Sequence, residues 1–406
     1  MPVFTPADIL LPAAGTDMSR WAVVACDQYT SRPDYWRAVD RHVGNSPSTM
    51  RLILPEVWLD EPDAPERIES VQRAMDAYLA GGIFREIADS FVLVERTLRP
   101  GVVRRGLVGA LDLEAYDHTP GSAPLVRATE GTVPERVPPR MRVRRGAALE
   151  SPHVMLLCDD PDLTLIEPLA ARAGELEMIY DFPLMRNGGS IRGYRVNGKQ
   201  AEAALEAVEN LKARSPMLFA VGDGNHSLAA ARACWLEVKK GLSAREQAAH
   251  PARMALCEVV NVHDPALVFA PIHRAVFGCD PAALLKRLSD SVIPGSGKFT
   301  LDYVSGGRPG KIDIALPPDT LPVSALQTFL DACLPKTPGS RVDYIHGDDE
   351  ARGLAAAKDA IAFLLPAMDK SALFPAVLAN GAFPRKTFSM GEADEKRYYM
   401  ECRRIR

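Results

Sequence analysis

Residues 217–221, Met-Leu-Phe-Ala-Val, form a run of five apolar positions closed by Gly222, which is the length and bounding of a buried strand. Asp223, Gly224, Asn225, His226 and Ser227 follow as turn and N-cap types, and from Leu228 the apolar positions recur at helical spacing until the Lys239-Lys240-Gly241 stop. The pattern predicts strand, sharp turn and helix over 217–240. Residues 21–26 repeat this layout: a predicted strand, polar residues 27–32, then a helix from Pro33 with Ser31 as its expected cap. An amphipathic helix is predicted over 65–79, and a hairpin over 91–98 and 102–113 around Arg99-Pro100-Gly101. A buried strand follows at 153–158, then a second hairpin, 178–182 with 190–196, around Asn187-Gly188. Further on, a helix is expected over 201–211, an apolar run over 254–262 and an extended segment over 269–274. The last third predicts helices over 323–333 and 351–365 and strands over 341–345 and 398–402.

These elements describe a mixed α/β protein, of the α+β kind. At 406 residues the chain exceeds one ordinary core. The expected division is a main α/β domain over 1–280, carrying the Asp-Gly-Asn-His-Ser turn, and a smaller C-terminal α/β lobe over 281–406. A net charge of −4 gives no electrostatic case for general nucleic-acid binding. Seven dispersed cysteines without a Cys-x-x-Cys pair argue against a zinc ribbon and fit a reducing compartment. No leader pattern opens the chain and no apolar run reaches the roughly 18 residues that span a bilayer, so a soluble, cytoplasmic protein is expected. Residues 294–298, Pro-Gly-Ser-Gly-Lys, fail as a phosphate loop, because Val292 stands where its first glycine belongs and Phe299 where Ser or Thr must follow. A hairpin turn is expected there.

The organising turn changes the picture most. The unpaired N–H groups of a helix's first turn and the positive end of its dipole favour an anion. Asp223 can hold a metal ion or take a proton, His226 titrates near neutrality or donates to a phosphate, and Gly224 admits close backbone approach. Capping explains any one of these residues, but not Asp, Asn and His together. Asp27 and Tyr29 follow the other predicted strand, at the edge where α/β sheets collect ligands. The stretch 125–145 holds six arginines, of which Arg127 and Arg136 are expected to meet phosphate. The alternating Arg140, Arg142 and Arg144 are expected on a solvated strand face. Glu130, in a loop beside these cations, is a candidate base or magnesium ligand. His273 and Arg274 are adjacent on an extended segment and point to opposite faces, and His273 is the one chosen for the cleft. Arg385 is placed to reach back to a phosphate. Mg²⁺ is the expected companion ion, and no organic cofactor is indicated.

The motifs CDQYTSRPDYW (26–36), RATEGTVPERVPPR (127–140), GDGNHSLAAA (222–231), YIHG (344–347) and FPRKT (383–387) together resemble the bacterial domain-of-unknown-function 1015 family over nearly the whole chain. That family is similar in part to the superfamily of ParB chromosome-partitioning proteins and sulfiredoxin, which includes free-serine kinases. The resemblance implies a ParB/sulfiredoxin-like core with mixed sheets. In those relatives a short turn with His and Arg before a helix binds nucleotide phosphates, which implies an analogous role for Asp223, Gly224, Asn225 and His226. The commoner family form is Asp-Gly-His-His-Arg; here Asn225 replaces the first His and Ser227 the Arg, leaving Arg232, Arg274 or Arg385 to supply that charge. The expected function is binding of a nucleotide or phosphorylated small molecule at the turn, with phosphoryl transfer or hydrolysis. A non-catalytic ligand-binding regulator is the alternative, and a nucleic-acid-binding relative of the partitioning proteins ranks last.

Overall fold

The computed structural model describes residues 2–292, 297–318 and 320–406, so the turn expected over 294–298 falls largely outside the described residues. The chain divides into two compact units: one comprises Met1–Ala128, Thr132–Leu267 and Glu392–Arg406, the other Thr129–Gly131 and Val268–Gly391. This differs from a division at 280 in that the strand Phe269–Phe277 pairs wholly within the second unit, while the C-terminal residues return to the first.

The first unit is built on a ten-stranded mixed sheet. Along its main path run Val126–Ala128, Phe219–Asp223, Met155–Cys158, Met254–Asn261, Val102–Asp112, Phe84–Arg99, Ser190–Val196 and Glu177–Pro183. Two neighbouring pairs are parallel, Val126–Ala128 with Phe219–Asp223 and Met155–Cys158 with Met254–Asn261. Both hairpins expected from the sequence are present. The strand Phe84–Arg99 explains why the sheet sits in the middle of the unit: Val92 and Val94 enter one apolar cluster with Trp21 and Trp36, whereas Phe91 and Leu93 enter another with Phe219 and Trp235. Side chains alternate across a strand, so the continuously apolar stretch Phe91-Val92-Leu93-Val94 must be covered on both faces.

Three local expectations are corrected. Only Val23–Val24 of 21–26 is strand, paired with Tyr398–Tyr399, while Trp21 closes the helix Met18–Trp21. The following helix, Pro33–Val43, is preceded by Arg32 with no side-chain cap, so Ser31 does not cap it. Arg140, Arg142 and Arg144 lie on the helix Val137–Arg144, not on a strand; its early prolines fit the first helical turn, where their missing N–H is no loss.

The second unit carries a six-stranded antiparallel sheet: Arg308–Ala315, Lys298–Ser305, Ala360–Leu364, Phe269–Phe277 and Arg341–His346 in order, with Phe388–Met390 also on Phe269–Phe277. The helix expected over 351–365 is instead a helix, Asp348–Leu354, followed by the strand Ala360–Leu364. All five residues of that strand are buried, and a short, wholly apolar run has no periodicity that separates strand from helix.

Candidate functional site

The strand Phe219–Asp223 breaks register between Val221 and Asp223, and Gly224 turns the chain with φ 75° and ψ 23° into the helix Asn225–Val238. Asn225, His226 and Ser227 therefore form the helix's first turn. Asp223 does not cap this helix; its Oδ1 accepts from Gly224 N at 2.9 Å. The N-cap residue is Gly224, with no side-chain cap, and the positive end of the helix dipole lies at this turn. Glycine is required here twice over. Its φ lies in the left-handed region, and a Cβ would stand 3.0 Å from Val154 Cα and 3.1 Å from its Cγ2. Gly224→Ala is expected to lose roughly 1–3 kcal/mol from strain and displacement of the Val154 backbone. Urea unfolding checks this, and a loss below about 0.5 kcal/mol would contradict the close packing.

Asn225 ties the turn down. Its Oδ1 accepts from Tyr116 Oη at 2.9 Å and its Nδ2 donates to Thr132 Oγ1 at 3.0 Å. His226 Nε2 accepts from Val133 N at 3.1 Å, which leaves the proton of the neutral ring on Nδ1. Burial, with the charges of Arg140 and Arg136 behind it, holds the His226 pKa down to about 4. The ring is thus neutral at pH 7, and the expectation that it titrates near neutrality is corrected. A depressed histidine pKa contributes stability that is complete above the unfolded value near 6.5 and is lost as pH falls toward 4. Wild type is expected to lose roughly 1–2 kcal/mol more than His226→Gln between pH 7 and pH 4, the ring's partial exposure being allowed for. Urea midpoints at the two pH values test this, and equal losses would refute it.

Behind the turn lies a half-buried charged cluster. Asp223 Oδ2 pairs with Lys396 Nζ at 3.5 Å. His153, 4% exposed, presents Nε2 to Asp27 Oδ2 at 3.4 Å and to Ser227 Oγ at 3.5 Å, and Nδ1 to Tyr399 Oη at 2.7 Å. Burial pushes the Asp27 pKa up, but the His153 charge and hydrogen bond and the Gln28 amide outweigh it and hold the carboxyl well below its usual range. Burial disfavours the His153 imidazolium, yet Asp27, then Asp223 and Glu56, raise its pKa. Both shifts describe an ion pair. Glu56 in turn is bonded to Arg140. Three carboxylates thus face His153, Lys396 and Arg140.

The remaining first-unit candidates are Arg127, Arg136 and Tyr29. Arg127 lies on the neighbouring parallel strand opposite Ala220 and donates through Nε to Pro124 O. Arg136 is exposed on the short helix Pro134–Arg136, and its charge is felt at His226. Tyr29, at φ 53°, stacks on Tyr35 with ring centroids 3.8 Å apart. Arg232 is committed to Leu113 O and the Asp117 carboxylate, so it does not stand in for the family's arginine.

Glu130, His273, Arg274 and Arg385 belong to the second unit. There Glu130 Oε1 accepts from Thr387 N at 3.4 Å. His273 accepts from Leu365 N and faces Asp348 at 2.9 Å, so both ring nitrogens are used within the fold. Arg274 is buried and donates to Gln327 and to the carbonyls of Ile272, Arg385 and Lys386. The Arg385 guanidinium lies 5.8 Å from the Tyr344 ring.

Sequence reasoning missed His153, Lys396, Tyr399 and the Glu56–Arg140 pair. The one signal was His153 at the mouth of an apolar strand; the others come from distant segments without a local motif. Among the described residues, no group of three or more His, Cys, Asp or Glu side chains could hold a metal ion, and no helix is long and apolar enough to cross a membrane.

Among solved structures, the chain is similar to a free serine kinase variant in complex with AMP (TM-score 0.38, 12% identity, 72% of this chain and 90% of that one). It is also similar to SbnI with a C-terminal truncation from Staphylococcus aureus (0.36, 9%, 70% and 83%) and to a conserved hypothetical protein from Pyrococcus furiosus (0.33, 12%, 72% and 90%). No curated protein matches it. The family model described as protein of unknown function (DUF1015) matches residues 10–402, and the chain belongs to that family.

Proposed function

We propose that the first unit binds a phosphorylated small molecule, nucleotides included, with its phosphate over the first turn of the helix Asn225–Val238, and transfers or hydrolyses the phosphoryl group there. The observation that carries this reading is a fourteen-residue helix that starts at a left-handed glycine without a side-chain cap, beside Lys396 and Arg136. Phosphoryl transfer asks the protein mainly for positioning and charge neutralisation. In this reading the backbone at 224–227 and the Ser227 hydroxyl hold phosphate oxygens, His226 donates from Nδ1, and Arg127 and Arg136 complete the clamp. Lys396 answers the added negative charge. Asp223 serves as base or as the single carboxylate that holds Mg²⁺, whose other positions phosphate oxygens and water would fill. His273 and the remaining candidates of the second unit, Glu130 and Arg385, have partners within that unit and are given no step. The finer kinship with the ParB/sulfiredoxin superfamily and a cytoplasmic location are parts of the same proposal.

The test is a thermal-shift screen of nucleotides and small phosphorylated metabolites, with and without Mg²⁺, on wild type and His226→Ala. A ligand at about 100 times its Kd stabilises the native state by roughly 2.7 kcal/mol. A shift given by a phosphorylated compound and lost in His226→Ala supports the site; no shift from any phosphorylated compound contradicts it.

A further inference from the structure

The first unit contains a cavity of about 140 Å³ beside the turn. Much of its wall is apolar, including Leu52, Leu54, Leu59, Met75, Val143 and Leu228. Polar groups on the same wall are Ser151, Ser227, His153, Tyr399 and the ion pairs Glu56–Arg140 and Arg144–Glu150. Ser227 and His153 therefore belong both to the turn and to the cavity. The helix Asn225–Val238 supplies Ser227, Leu228, Ala230 and Ala231, so the helix whose N-terminus is the proposed anion site also forms a wall of this space.

Protein interiors carry few voids larger than a water molecule, and an unfilled apolar one is costly. A cavity of roughly 150 Å³ lined by aliphatic side chains accepts benzene, which sets the scale of what fits here. A nucleoside, with its sugar and base, is too large for a space of about 140 Å³. We infer that the cavity receives the organic part of the phosphorylated ligand, and that this ligand is a phosphate monoester of a small apolar alcohol, with a body up to about the size of a benzene ring. The inference rests on the anion site at the helix N-terminus and narrows its substrate class. The phosphate meets the first turn and Ser227, while the body lies along Leu228 and Ala231 toward Leu54.

Calorimetric titration with phenyl phosphate, inorganic phosphate and phenol tests it, on wild type and on Ala231→Leu, which fills the cavity from the helix side. The expected result is that phenyl phosphate binds at least about tenfold more tightly than inorganic phosphate, and that Ala231→Leu removes this advantage while leaving inorganic phosphate unchanged. Leu54→Phe, from another segment of the wall, repeats the test if Ala231→Leu does not fold. Equal affinity of wild type for phenyl phosphate and inorganic phosphate would overturn the apolar subsite while leaving the anion site standing. If neither phosphate compound binds, the inference falls together with the anion site, and xenon binding to the same protein shows that the cavity itself is not at fault.

Discussion

Replacing Arg397 with methionine is expected to destabilise the protein by roughly 3–5 kcal/mol, because it leaves two buried carboxylates without their partner. Arg397 is 3% exposed and bonds Glu401 at 2.6 Å and Glu258 at 3.1 Å, neither of which reaches solvent to any useful extent. Burial disfavours the Arg397 charge, but Glu401 and Glu258 more than offset it and raise the guanidinium's pKa. Gly106 makes the room: a Cβ there would lie 2.3 Å from Glu258 Oε1. The consequence reaches the site, since Arg397 anchors the C-terminal segment that delivers Lys396 to Asp223 and Tyr399 to His153. Methionine is similar in length and apolar, so the loss comes from the stranded carboxylates and not from an empty space. Adding Glu401→Gln should recover part of it. Urea unfolding measures both variants, and a loss below about 1 kcal/mol for Arg397→Met would contradict this account of the anchor.

Asp223→Asn is expected to lower turnover of the cognate phosphorylated substrate by roughly 10² to 10⁴-fold, the range for removing a general acid or base. Affinity should change by less than about tenfold. The amide retains the oxygen that accepts from Gly224 N, so the turn persists; only the charge facing Lys396 is lost. Separate determination of kcat and KM decides the matter, because a role confined to shaping the turn would move KM and stability but not kcat. Unchanged kcat would remove Asp223 from the chemistry and favour the non-catalytic regulator.

The organising turn was legible because each of its parts is local: an apolar run closed by Gly222, polar residues, then apolar residues at helical spacing. Hairpins around Gly101 and Gly188 were legible for the same reason. What surrounds the turn was not. His153 meets Asp27 across three intervening strands of the main sheet, Phe84–Arg99, Val102–Asp112 and Val126–Ala128, and Lys396 arrives from the opposite end of the chain, so no spacing rule links them. The basic stretch misled because alternating arginines suggested a strand, whereas Pro138 and Pro139 begin a helix and Arg140 turns inward to Glu56. The strand Ala360–Leu364 was hidden by burial on every position. Motif order alone could not assign Glu130 and Arg385, which the fold gathers into the second unit with Thr129, Thr387 and Tyr344.

The central claim is that an anion site lies at the N-terminus of the helix Asn225–Val238, and backbone amide resonances report on it directly. Titrating the ¹⁵N-labelled protein with inorganic phosphate should shift the amides of 224–228 most, with saturation, and the Gly224→Ala variant should lose that response. Saturating shifts confined to other segments, or none at 224–228, would contradict the claim.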